Sequence, residues 1–239
     1  MRAVLLAAGL GTRLQPITNT IPKCLVEIEG QALLGIWLDL LLGSGFERVL
    51  INTHHLAQSI KDYIALSPWR EQLDLVYEPE LLQTGGTLLH NEAWFKNESF
   101  LVAHADNLTV FNVPEFVGKH CLRPSGVEIT MMTFDTDVPQ SCGIVEEHEG
   151  RIVAFHEKVP NPPGNRANAA VYIVEPSIFS LLKAVQKPVI DLSTEILPRL
   201  LGRMQSYHNT IYHRDIGTVE SLTVARNEYP SKKRSFFKI

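Results

Sequence analysis

The 239-residue sequence predicts a single α/β domain built on a mostly parallel β-sheet. Three observations lead to this prediction. Short apolar runs alternate with segments of helical periodicity, an order that places helices against parallel strands. A glycine-rich turn at residues 9–11 follows the first apolar run, at the position where α/β sheets commonly bind ligands. After residue 125 the apolar runs are joined by short turns, which indicates a smaller antiparallel part.

The predicted elements follow in chain order. In the first half, strands are predicted at 3–8, 48–52, 73–78 and 100–106, and helices at 31–42, 56–66 and 85–95. The helix at 31–42 rests on an apolar stripe that ends at Gly43 and Gly45. In the second half, strands are predicted at 127–134, twice within 143–158, and at 168–174, and helices at 176–185, 193–203 and 218–228.

Composition limits the classes of function. The chain has 22 Lys and Arg against 26 Asp and Glu, and this net charge of −4 argues against a general nucleic-acid binder, which is usually basic. The three cysteines, Cys24, Cys121 and Cys142, are scattered and form no CxxC pair, so we expect a reducing compartment, the cytoplasm. No apolar run is long enough to span a bilayer. We therefore expect neither a nucleic-acid nor a membrane partner.

Residues 9–30, GLGTRLQPITNTIPKCLVEIEG, predict a loop that binds phosphate. Glycine permits positive φ, and consecutive amides in such a loop can surround an anion. Arg13 adds a forked positive charge, and Lys23 adds a second cation across a proline-bounded loop, which suits a polyphosphate. The dinucleotide fingerprint does not fit because Leu14 stands at its third glycine, and the P-loop motif is absent.

This loop resembles the signature of the sugar-1-phosphate nucleotidylyltransferases, or NDP-sugar pyrophosphorylases: G-x-G-T-R-L, then P-x-T and P-K. Similar segments continue to about residue 228. They are LLQTGGTL (81–88) for the base-recognition loop, AHAD (103–106) and HRDIGT (213–218) for two metal-binding aspartates, FHEK (155–158) for a Glu-Lys pair, and NAAVYIV (168–174) for an Asn-Ala-Gly-x-Tyr strand. The resemblance implies a Rossmann-like, GT-A-like three-layer sandwich with a mostly parallel mixed sheet and a small antiparallel sugar-binding part.

The resemblance also implies the reaction. A sugar-1-phosphate oxygen attacks the α-phosphorus of an NTP and expels pyrophosphate, with Mg²⁺ as the cofactor. Arg13 and Lys23 would be catalytic, Arg13 on the β and γ phosphates and Lys23 on the α-phosphate or the sugar phosphate. The further implied nucleotide contacts are Leu6, Ala8, Gly9, Gly11, Thr12, Gln83, Thr84 and Gly85. The implied sugar-phosphate contacts are Gly143, Glu157, Lys158 and Asn168, and the implied metal ligands are Asp106 and Asp215.

The implied division of labour follows the chain. Residues 1–125 would mainly bind the nucleotide, residues 126–228 would mainly bind the sugar, and residues 229–239 would form a tail. The basic and aromatic end, KKRSFFKI (232–239), is interpreted as a solvated end or a docking patch, with a homo-oligomer contact as a third interpretation.

The chain departs from the family pattern at four positions, which leaves the sugar open. His104 and Ala105 precede Asp106, His213 replaces a tryptophan, Cys142 replaces a tyrosine, and the strand at 168 has Asn-Ala-Ala. The chain most resembles the mannose-1-phosphate guanylyltransferases, which favours GTP. The alternatives are an N-acetylmuramate-1-phosphate uridylyltransferase and a glucose-1-phosphate thymidylyl- or uridylyltransferase, which would use UTP or dTTP.

Two other classes stay open, and one metal site is excluded. A catalytically silent NDP-sugar-binding regulatory subunit would not need Arg13 on a leaving group. A glycosyltransferase of similar fold would normally carry D-x-D, whereas this chain has Asp-Asn-Leu at 106–108. His54 and His55 are adjacent on a predicted strand, so their side chains point to opposite faces and cannot chelate one ion together.

Overall fold

The computed structural model describes residues 1–237, with side chains described through residue 233. The strands are β1 (Arg2–Leu6), β2 (Glu27–Ile28), β3 (Gln31–Ala32), β4 (Val49–Thr53), β5 (Leu73–Tyr77), β6 (Phe100–His104), β7 (Asn107–Val110), β8 (Ile129–Asp135), β9 (Gly143–His148), β10 (Arg151–Glu157), β11 (Arg166–Val174), β12 (Met204–His208) and β13 (Tyr212–Asp215). The α-helices are α1 (Leu33–Leu42), α2 (Ala57–Ala65), α3 (Gln83–His90), α4 (Val113–Cys121), α5 (Ile178–Ala184) and α6 (Val219–Phe237).

The chain divides into two compact units, each built from separate stretches of sequence. The first unit contains Met1–Leu81, Ala103–Val113 and Ile211–Ile239, and the second contains Leu82–Val102 and Pro114–Thr210. The implied functional division at residue 125 is not tested by these units and stays a prediction. No helix among the described residues combines the length and apolarity needed to cross a membrane.

The first unit is centred on the parallel strands β5, β4 and β1, in that order. Every residue of β1 and β4 is buried, as expected for parallel strands that are covered on both faces. The N–H of Ala105, just after β6, donates to the carbonyl of Leu6 at 3.0 Å. Because the strands run in the same direction, the loops after β1, β4 and β5 begin at one edge of the sheet.

A two-stranded antiparallel ribbon, β7 with β13, packs in the core of the first unit. Trp37 of α1 donates its indole N–H to the carbonyl of Asn107 at 2.8 Å, which fixes the start of β7. The core around the ribbon is formed by buried side chains from several elements of this unit: Leu14, Val26, Ile28, Leu33, Ile36, Leu108, Val110, Tyr212, Ile216, Leu222, Ala225 and Tyr229. The ribbon is therefore held by apolar packing along its length.

The second unit contains a circuit of five strands, in the order β11, β8, β12, β10 and β9. Strands β8 and β12 are parallel, and the other neighbours are antiparallel. Strand β9 also pairs with β11, through Ile144 and Ala167, and this pairing closes the circuit. The predicted hairpin within 143–158 corresponds to β9 and β10 and is confirmed.

The α/β fold class is confirmed, and so are most of the predicted elements, with boundaries shifted by a few residues. The predicted α-helix at 193–203 is wrong. Residues Leu192–Ile196 form a single π-helical turn and Leu197–Leu200 a 3₁₀ turn. Pro198 lacks a backbone N–H, so the segment cannot continue as a regular α-helix.

The remaining differences are elements that were not predicted and elements whose predicted bounds or type differ from those in the structure. Strands β2, β3, β7, β12 and β13 and helix α4 were not predicted, and β3 occupies the first two positions of the predicted helix 31–42. The predicted strand 100–106 ends at His104, and Asp106 lies in the turn to β7. The predicted helix 85–95 is α3 followed by a 3₁₀ turn, and the predicted helix 218–228 continues to Phe237 as α6. The oligomer interpretation of 232–239 stays a prediction, since residues 238–239 and the side chains from 234 onward lie outside the described residues.

A buried histidine organises a polar network inside the second unit. His120 is 1% exposed, with Nδ1 2.7 Å from the Thr130 hydroxyl and Nε2 2.9 Å from Glu175 Oε1. Gln205 donates to the Thr130 hydroxyl at 2.8 Å, so that hydroxyl is placed to donate to His120 Nδ1. This arrangement satisfies a neutral imidazole. Burial and the nearby Arg123 guanidinium lower the pKa of His120, although Glu175 opposes them.

His120 should therefore make folding less stable in acid. Because the fold lowers its pKa below the unfolded value of 6.5, the unfolded chain binds the proton first, and stability present above that value is lost as the pH falls. Urea unfolding at about pH 7.5 and about pH 5.5 should show a smaller acid-dependent loss in His120→Gln than in the parent protein. Equal losses in the two proteins would contradict this assignment.

Candidate active site

The loop after β1 is anchored to the ends of the two neighbouring strands. The N–H of Ala7 donates to Asn52 Oδ1 at 2.7 Å, and Asn52 Nδ2 donates to Glu78 Oε1 at 2.9 Å. Asn52 lies in β4 and Glu78 follows β5, and both are almost fully buried. These hydrogen bonds between buried groups fix where Ala8 and Gly9 leave the sheet, because an unpaired buried polar group is costly.

Gly11 turns the loop back toward the body of the first unit. Its φ is +65°, which glycine adopts without the steric cost of a Cβ. Thr18, which is 1% exposed, donates its hydroxyl to the Gly11 carbonyl at 2.7 Å, and a Cβ on residue 11 would lie 2.9 Å from Thr18 Cγ2. The following 3₁₀ turn, Thr12–Leu14, buries Leu14 in the core and leaves Arg13 exposed.

Lys23 joins the two aspartates that the sequence singles out. Its Nζ lies 2.7 Å from Asp106 Oδ2 and 3.1 Å from Asp215 Oδ1. The lysine side chain is 8% exposed, whereas those of Asp106 and Asp215 are 30% and 47% exposed. Burial disfavours the ammonium, but the two carboxylates outweigh burial and raise the pKa of Lys23. Burial likewise disfavours the charged form of Asp106, but Lys23 outweighs it and lowers the pKa of that carboxyl.

The β7–β13 ribbon explains how two carboxylates so distant in sequence meet. Asp106 lies in the turn before β7, and Asp215 is the last residue of β13. In the antiparallel register Asp215 is opposite Asn107, so both carboxylates project from the same end of the ribbon. The core packing that holds the ribbon therefore also sets the spacing of the two acids.

Arg13 pairs loosely with the second aspartate. Its Nη2 lies 3.5 Å from Asp215 Oδ2, and the two side chains are 67% and 47% exposed. Exposed pairs of this kind contribute little stability, so Arg13 can exchange its partner readily. Gly217 makes room for the pair, because a Cβ there would lie 2.8 Å from Asp215 Oδ2 and 3.0 Å from Arg13 Nη1.

The histidines near these groups each lie within hydrogen-bonding distance of a neighbouring polar atom. Burial lowers the pKa of His213 to about 4, and its Nδ1 lies 2.7 Å from the Thr109 hydroxyl. His54 Nδ1 lies 2.7 Å from the Glu78 carbonyl, and His55 Nε2 lies 3.3 Å from the Thr18 carbonyl. The expectation that His54 and His55 do not chelate an ion together stays a prediction.

Asp106 and Asp215 fit a magnesium ion that keeps most of its ligands from water and substrate. Both carboxylates approach one Lys23 nitrogen, so they lie close together, and both are partly exposed. Mg²⁺ typically takes one or two carboxylates together with waters and phosphate oxygens. Among the described residues, no group of three or more His, Cys, Asp or Glu side chains could hold a metal. The donor set therefore suits Mg²⁺ better than a metal held wholly by protein.

In the second unit, Gly143 and Glu157 face each other across the β9–β10 pair. A Cβ on residue 143 would lie 2.6 Å from both Glu157 Oε2 and Phe155 Cζ, so glycine is needed for these two side chains. Lys158 Nζ lies 3.2 Å from Glu157 Oε1, and the lysine side chain is 66% exposed. A glycine, a carboxylate and an exposed cation thus lie next to one another, and their implied roles at the sugar phosphate stay predictions.

Asn168 is oriented by its own strand. Its Nδ2 donates to the Tyr172 hydroxyl at 2.7 Å, and its Oδ1 accepts the N–H of Ala170 at 2.9 Å. Ala170 has a φ of +53°, and the pairing of β11 with β8 is irregular between Asn168 and Tyr172. This bulge turns Asn168 toward Tyr172, which is itself 2% exposed.

The predicted base loop opens helix α3. Gln83 is exposed with a φ of +61°, and the N–H groups of Gly85 and Gly86 both donate to the Ile190 carbonyl, at 2.7 and 3.1 Å. The Thr84 hydroxyl accepts the N–H of Leu192 at 2.8 Å. The loop therefore rests on residues 190–192.

The structure groups the predicted residues without testing their roles, which stay predictions. In the first unit, Arg13, Lys23, Asp106 and Asp215 form one connected cluster next to the glycine loop, Leu6 to Thr12. In the second unit, Gly143, Glu157 and Lys158 meet, while Asn168 and the base loop, Gln83 to Gly85, each have their own support.

Sequence reasoning missed four residues that shape these sites. Thr18 and Gly217 lie inside quoted motifs, Pro-Ile-Thr and Asp-Ile-Gly-Thr, so the motifs carried a signal that was left without a role. Asn52 and Glu78 had a weaker signal. Each is a polar residue at the end of an apolar strand, where a buried polar group needs a partner.

The first unit thus combines an α/β fold with two cations and two carboxylates beside a glycine loop. The chain matches the Nucleotidyl transferase family over residues 2–232, and it belongs to that family.

The chain is similar to curated proteins that act on different nucleotides. It is 28% identical to a mannose-1-phosphate guanylyltransferase of Mycobacterium tuberculosis, over 92% of this chain and 62% of the relative. It is 29% identical to a UTP–glucose-1-phosphate uridylyltransferase of Synechocystis, over 84% of this chain and 55% of the relative. The chain thus spans about three fifths of the length of these relatives.

A solved structure shares the fold. The crystal structure of an apo UDP-glucose pyrophosphorylase matches 97% of this chain and 98% of its own, with a TM-score of 0.80 and 24% identity. This likeness supports the nucleotidyltransferase fold expected from the sequence motifs.

The role of Gly217 can be tested by adding one methyl group. In Gly217→Ala the new Cβ meets the ends of two flexible side chains, so we expect the melting temperature to change little while Arg13 and Asp215 are displaced. Affinity for a nucleoside triphosphate with Mg²⁺, measured by titration calorimetry, should weaken by about tenfold or more, as for loss of a charged hydrogen bond.

The matched control is Gly118→Ala. A Cβ at that position, in α4, meets no atom within 4 Å. Unchanged nucleotide affinity in Gly217→Ala, or an equal loss of affinity in Gly118→Ala, would contradict a role for Gly217 in positioning Arg13 and Asp215.

Proposed function

We propose that this protein is a cytoplasmic, Mg²⁺-dependent enzyme that transfers a nucleotidyl group from an NTP to a sugar-1-phosphate and releases pyrophosphate. The observation that carries the proposal is the cluster of Arg13, Lys23, Asp106 and Asp215 beside the glycine loop. Membership of the Nucleotidyl transferase family and the likeness to guanylyl- and uridylyltransferases support the same reaction class.

The first obstacle to this reaction is charge, because both reactants are phosphate anions that repel each other. Arg13 is exposed and weakly held, so it can turn from Asp215 to the β and γ phosphates, where charge grows as pyrophosphate leaves. Lys23 is buried and held by two carboxylates, so it presents its ammonium at a fixed place, suited to the α-phosphate or the incoming phosphate. Loop amides from Ala8 to Thr12 would add hydrogen bonds to the nucleotide.

Asp106 and Asp215 would hold the magnesium ion, which when bound neutralises phosphate charge and orients the phosphate oxygens. The sugar phosphate is already an anion, so the chain need not supply a general base. Catalysis then depends on positioning and charge stabilisation by the residues of this cluster.

The second unit would hold the sugar phosphate. Lys158 is exposed enough to contact a phosphate, and Glu157 and Asn168 carry oxygen and nitrogen atoms that can hydrogen-bond sugar hydroxyls. We propose GTP and mannose-1-phosphate as the preferred pair, supported by the similarity to a mannose-1-phosphate guanylyltransferase. UTP or dTTP with a different sugar phosphate is the alternative, and the similarity to a uridylyltransferase keeps it open.

A matrix of nucleotides and sugars tests this function. ATP, GTP, CTP, UTP and dTTP would each be combined with the 1-phosphates of mannose, glucose and N-acetylmuramate in the presence of Mg²⁺. Pyrophosphate release should be fastest for GTP with mannose-1-phosphate and should stop when EDTA removes the metal. A protein that binds an NDP-sugar but releases no pyrophosphate with any pair would instead be a silent binding subunit.

The cluster can be tested by removing one charge at a time. We expect Arg13→Ala and Asp106→Ala each to lower turnover by about 10²–10³-fold, because the first removes a cation from the reacting phosphates and the second removes a carboxylate that would hold the magnesium ion. Steady-state pyrophosphate release and a melting curve for each variant provide the measurement. Arg70→Ala is the matched control, since Arg70 is also an exposed arginine, 3.1 Å from a carboxylate, but lies outside the cluster. Near-normal turnover in either cluster variant would overturn its assigned role.

A further inference from the structure

Residues 188–196 of the second unit, here called the support segment, hold the predicted base loop and lie near Tyr172, the residue that orients Asn168. The segment contains the π-helical turn Leu192–Ile196, in a region where the sequence predicted a regular helix. Single π-helical turns are uncommon and occur often at functional sites. No residue of the segment has been given a role so far.

On one side, the support segment holds the base loop by backbone hydrogen bonds. The Ile190 carbonyl accepts the N–H groups of Gly85 and Gly86, and the Ile190 N–H donates to the Leu82 carbonyl at 3.1 Å. Thr84 completes the attachment by accepting the N–H of Leu192 at 2.8 Å. The start of α3 is therefore fastened to the segment on three successive residues, 84 to 86.

The glycines of the base loop are shaped by the same contact. A Cβ on Gly85 would lie 2.9 Å from Ile190 Cγ2 and 3.1 Å from the Ile190 carbonyl oxygen. A Cβ on Gly86 would collide with the carbonyl oxygen of Pro188. The loop can lie against the segment only because neither residue carries a side chain, so its position is determined by the segment.

On the other side, the support segment lies beside the tyrosine that orients Asn168. Tyr172 accepts a hydrogen bond from Asn168 Nδ2 at 2.7 Å. Burial raises the pKa of the Tyr172 phenol, and Ser193 and Asp191 of the segment both lie close enough to influence it. Asn168 is thus oriented by the buried Tyr172 hydroxyl, and Tyr172 lies beside the π-helical turn.

The segment is held in shape by its own polar contacts. Asp191 Oδ1 accepts the N–H and the hydroxyl of Thr194, at 2.9 and 3.0 Å, and so caps the π-helical turn. Glu195 returns the contact by accepting the N–H of Asp191 at 3.0 Å, and Lys187 lies 2.6 Å from Glu195 Oε2. None of these residues belongs to either predicted subsite.

We propose that the support segment positions the base loop and Asn168 together, so that Asp191, through its cap of the π-helical turn, is a positioning residue for both subsites. The expected effect on the Michaelis constants rests on the proposed function, whereas the shared structural support does not. Because one short segment holds the base loop and lies beside the tyrosine that orients Asn168, a loosening of its cap should move both sites, whereas separate supports would respond separately.

The test loosens the cap and measures both sites. In Asp191→Ala, the Michaelis constants for the NTP and for the sugar phosphate should both rise about three- to tenfold, the range expected for loss of a hydrogen-bonded cap, with a smaller change in kcat. Asp191→Asn keeps the Oδ1 acceptor and should restore both constants toward the parent values. Thr194→Val removes only the hydroxyl contact and gives a milder version if Asp191→Ala does not fold. Asp62→Ala is the control, because Asp62 also accepts one exposed hydrogen bond, from Gln58, but lies far along the sequence in α2.

Amide hydrogen exchange supplies a second readout that needs no substrate. Asp191→Ala should speed exchange both in the peptide containing Gly85 and Gly86 and in the peptide containing Ala170, by about three- to tenfold, and Asp62→Ala should change neither. Suppose that exchange is faster in both peptides but the parent protein shows no turnover with any substrate pair. The proposed function would then be rejected, and the shared support would be retained. An active parent protein in which the variant alters only one subsite, or neither, would reject the shared support.

Discussion

The ammonium of Lys23 between the carboxylates of Asp106 and Asp215 is the interaction on which the first unit depends. A buried charge is tolerated only with close partners, and loss of one partner of a buried pair typically costs about 3–5 kcal/mol. The lysine comes from the loop that follows the glycine turn, and the two acids come from the two strands of the ribbon. Satisfying one ammonium therefore requires the loop and both strands to be correctly placed.

The residues around Lys23, Asp106 and Asp215 fix the positions of the loop and the ribbon that carry these three charges. Asn52 and Glu78 fix the start of the loop, and Thr18 fixes Gly11. Trp37 fixes the start of the ribbon through the Asn107 carbonyl. Each contact is made by a buried polar group, so each has only one favourable arrangement. The exposed Arg13 differs from them, since its loose pairing leaves it free to meet a ligand.

The sequence was sufficient to predict the fold class because that class leaves local patterns, whereas the grouping of the four charged residues was implied only by the family resemblance. The buried runs of β1 and β4 and the glycine turn between them are short-range signals. The ribbon was missed because β7 has four residues, is separated from β6 by two residues, and pairs with β13, which lies about a hundred residues further along the chain. Pairing of that kind is determined by tertiary packing, which no local pattern records.

The same distinction explains the parts of the site that were not predicted. Gly217 matters through the space it leaves for Arg13 and Asp215, and its own conformation is ordinary for any residue. The π-helical turn at Leu192–Ile196 was predicted as a helix because its apolar spacing is helical, while the cap at Asp191 and the ring of Pro198 determine its actual form.

The cluster has a consequence for how a charged ligand arrives. Two cations and two carboxylates cancel within it, and the whole chain carries a net charge of −4, so no strong positive field extends into solution to attract a triphosphate. If Arg13 and Lys23 bind phosphate as proposed, the phosphates must displace the carboxylates from these two cations, so that capture of the ligand would be an exchange of partners.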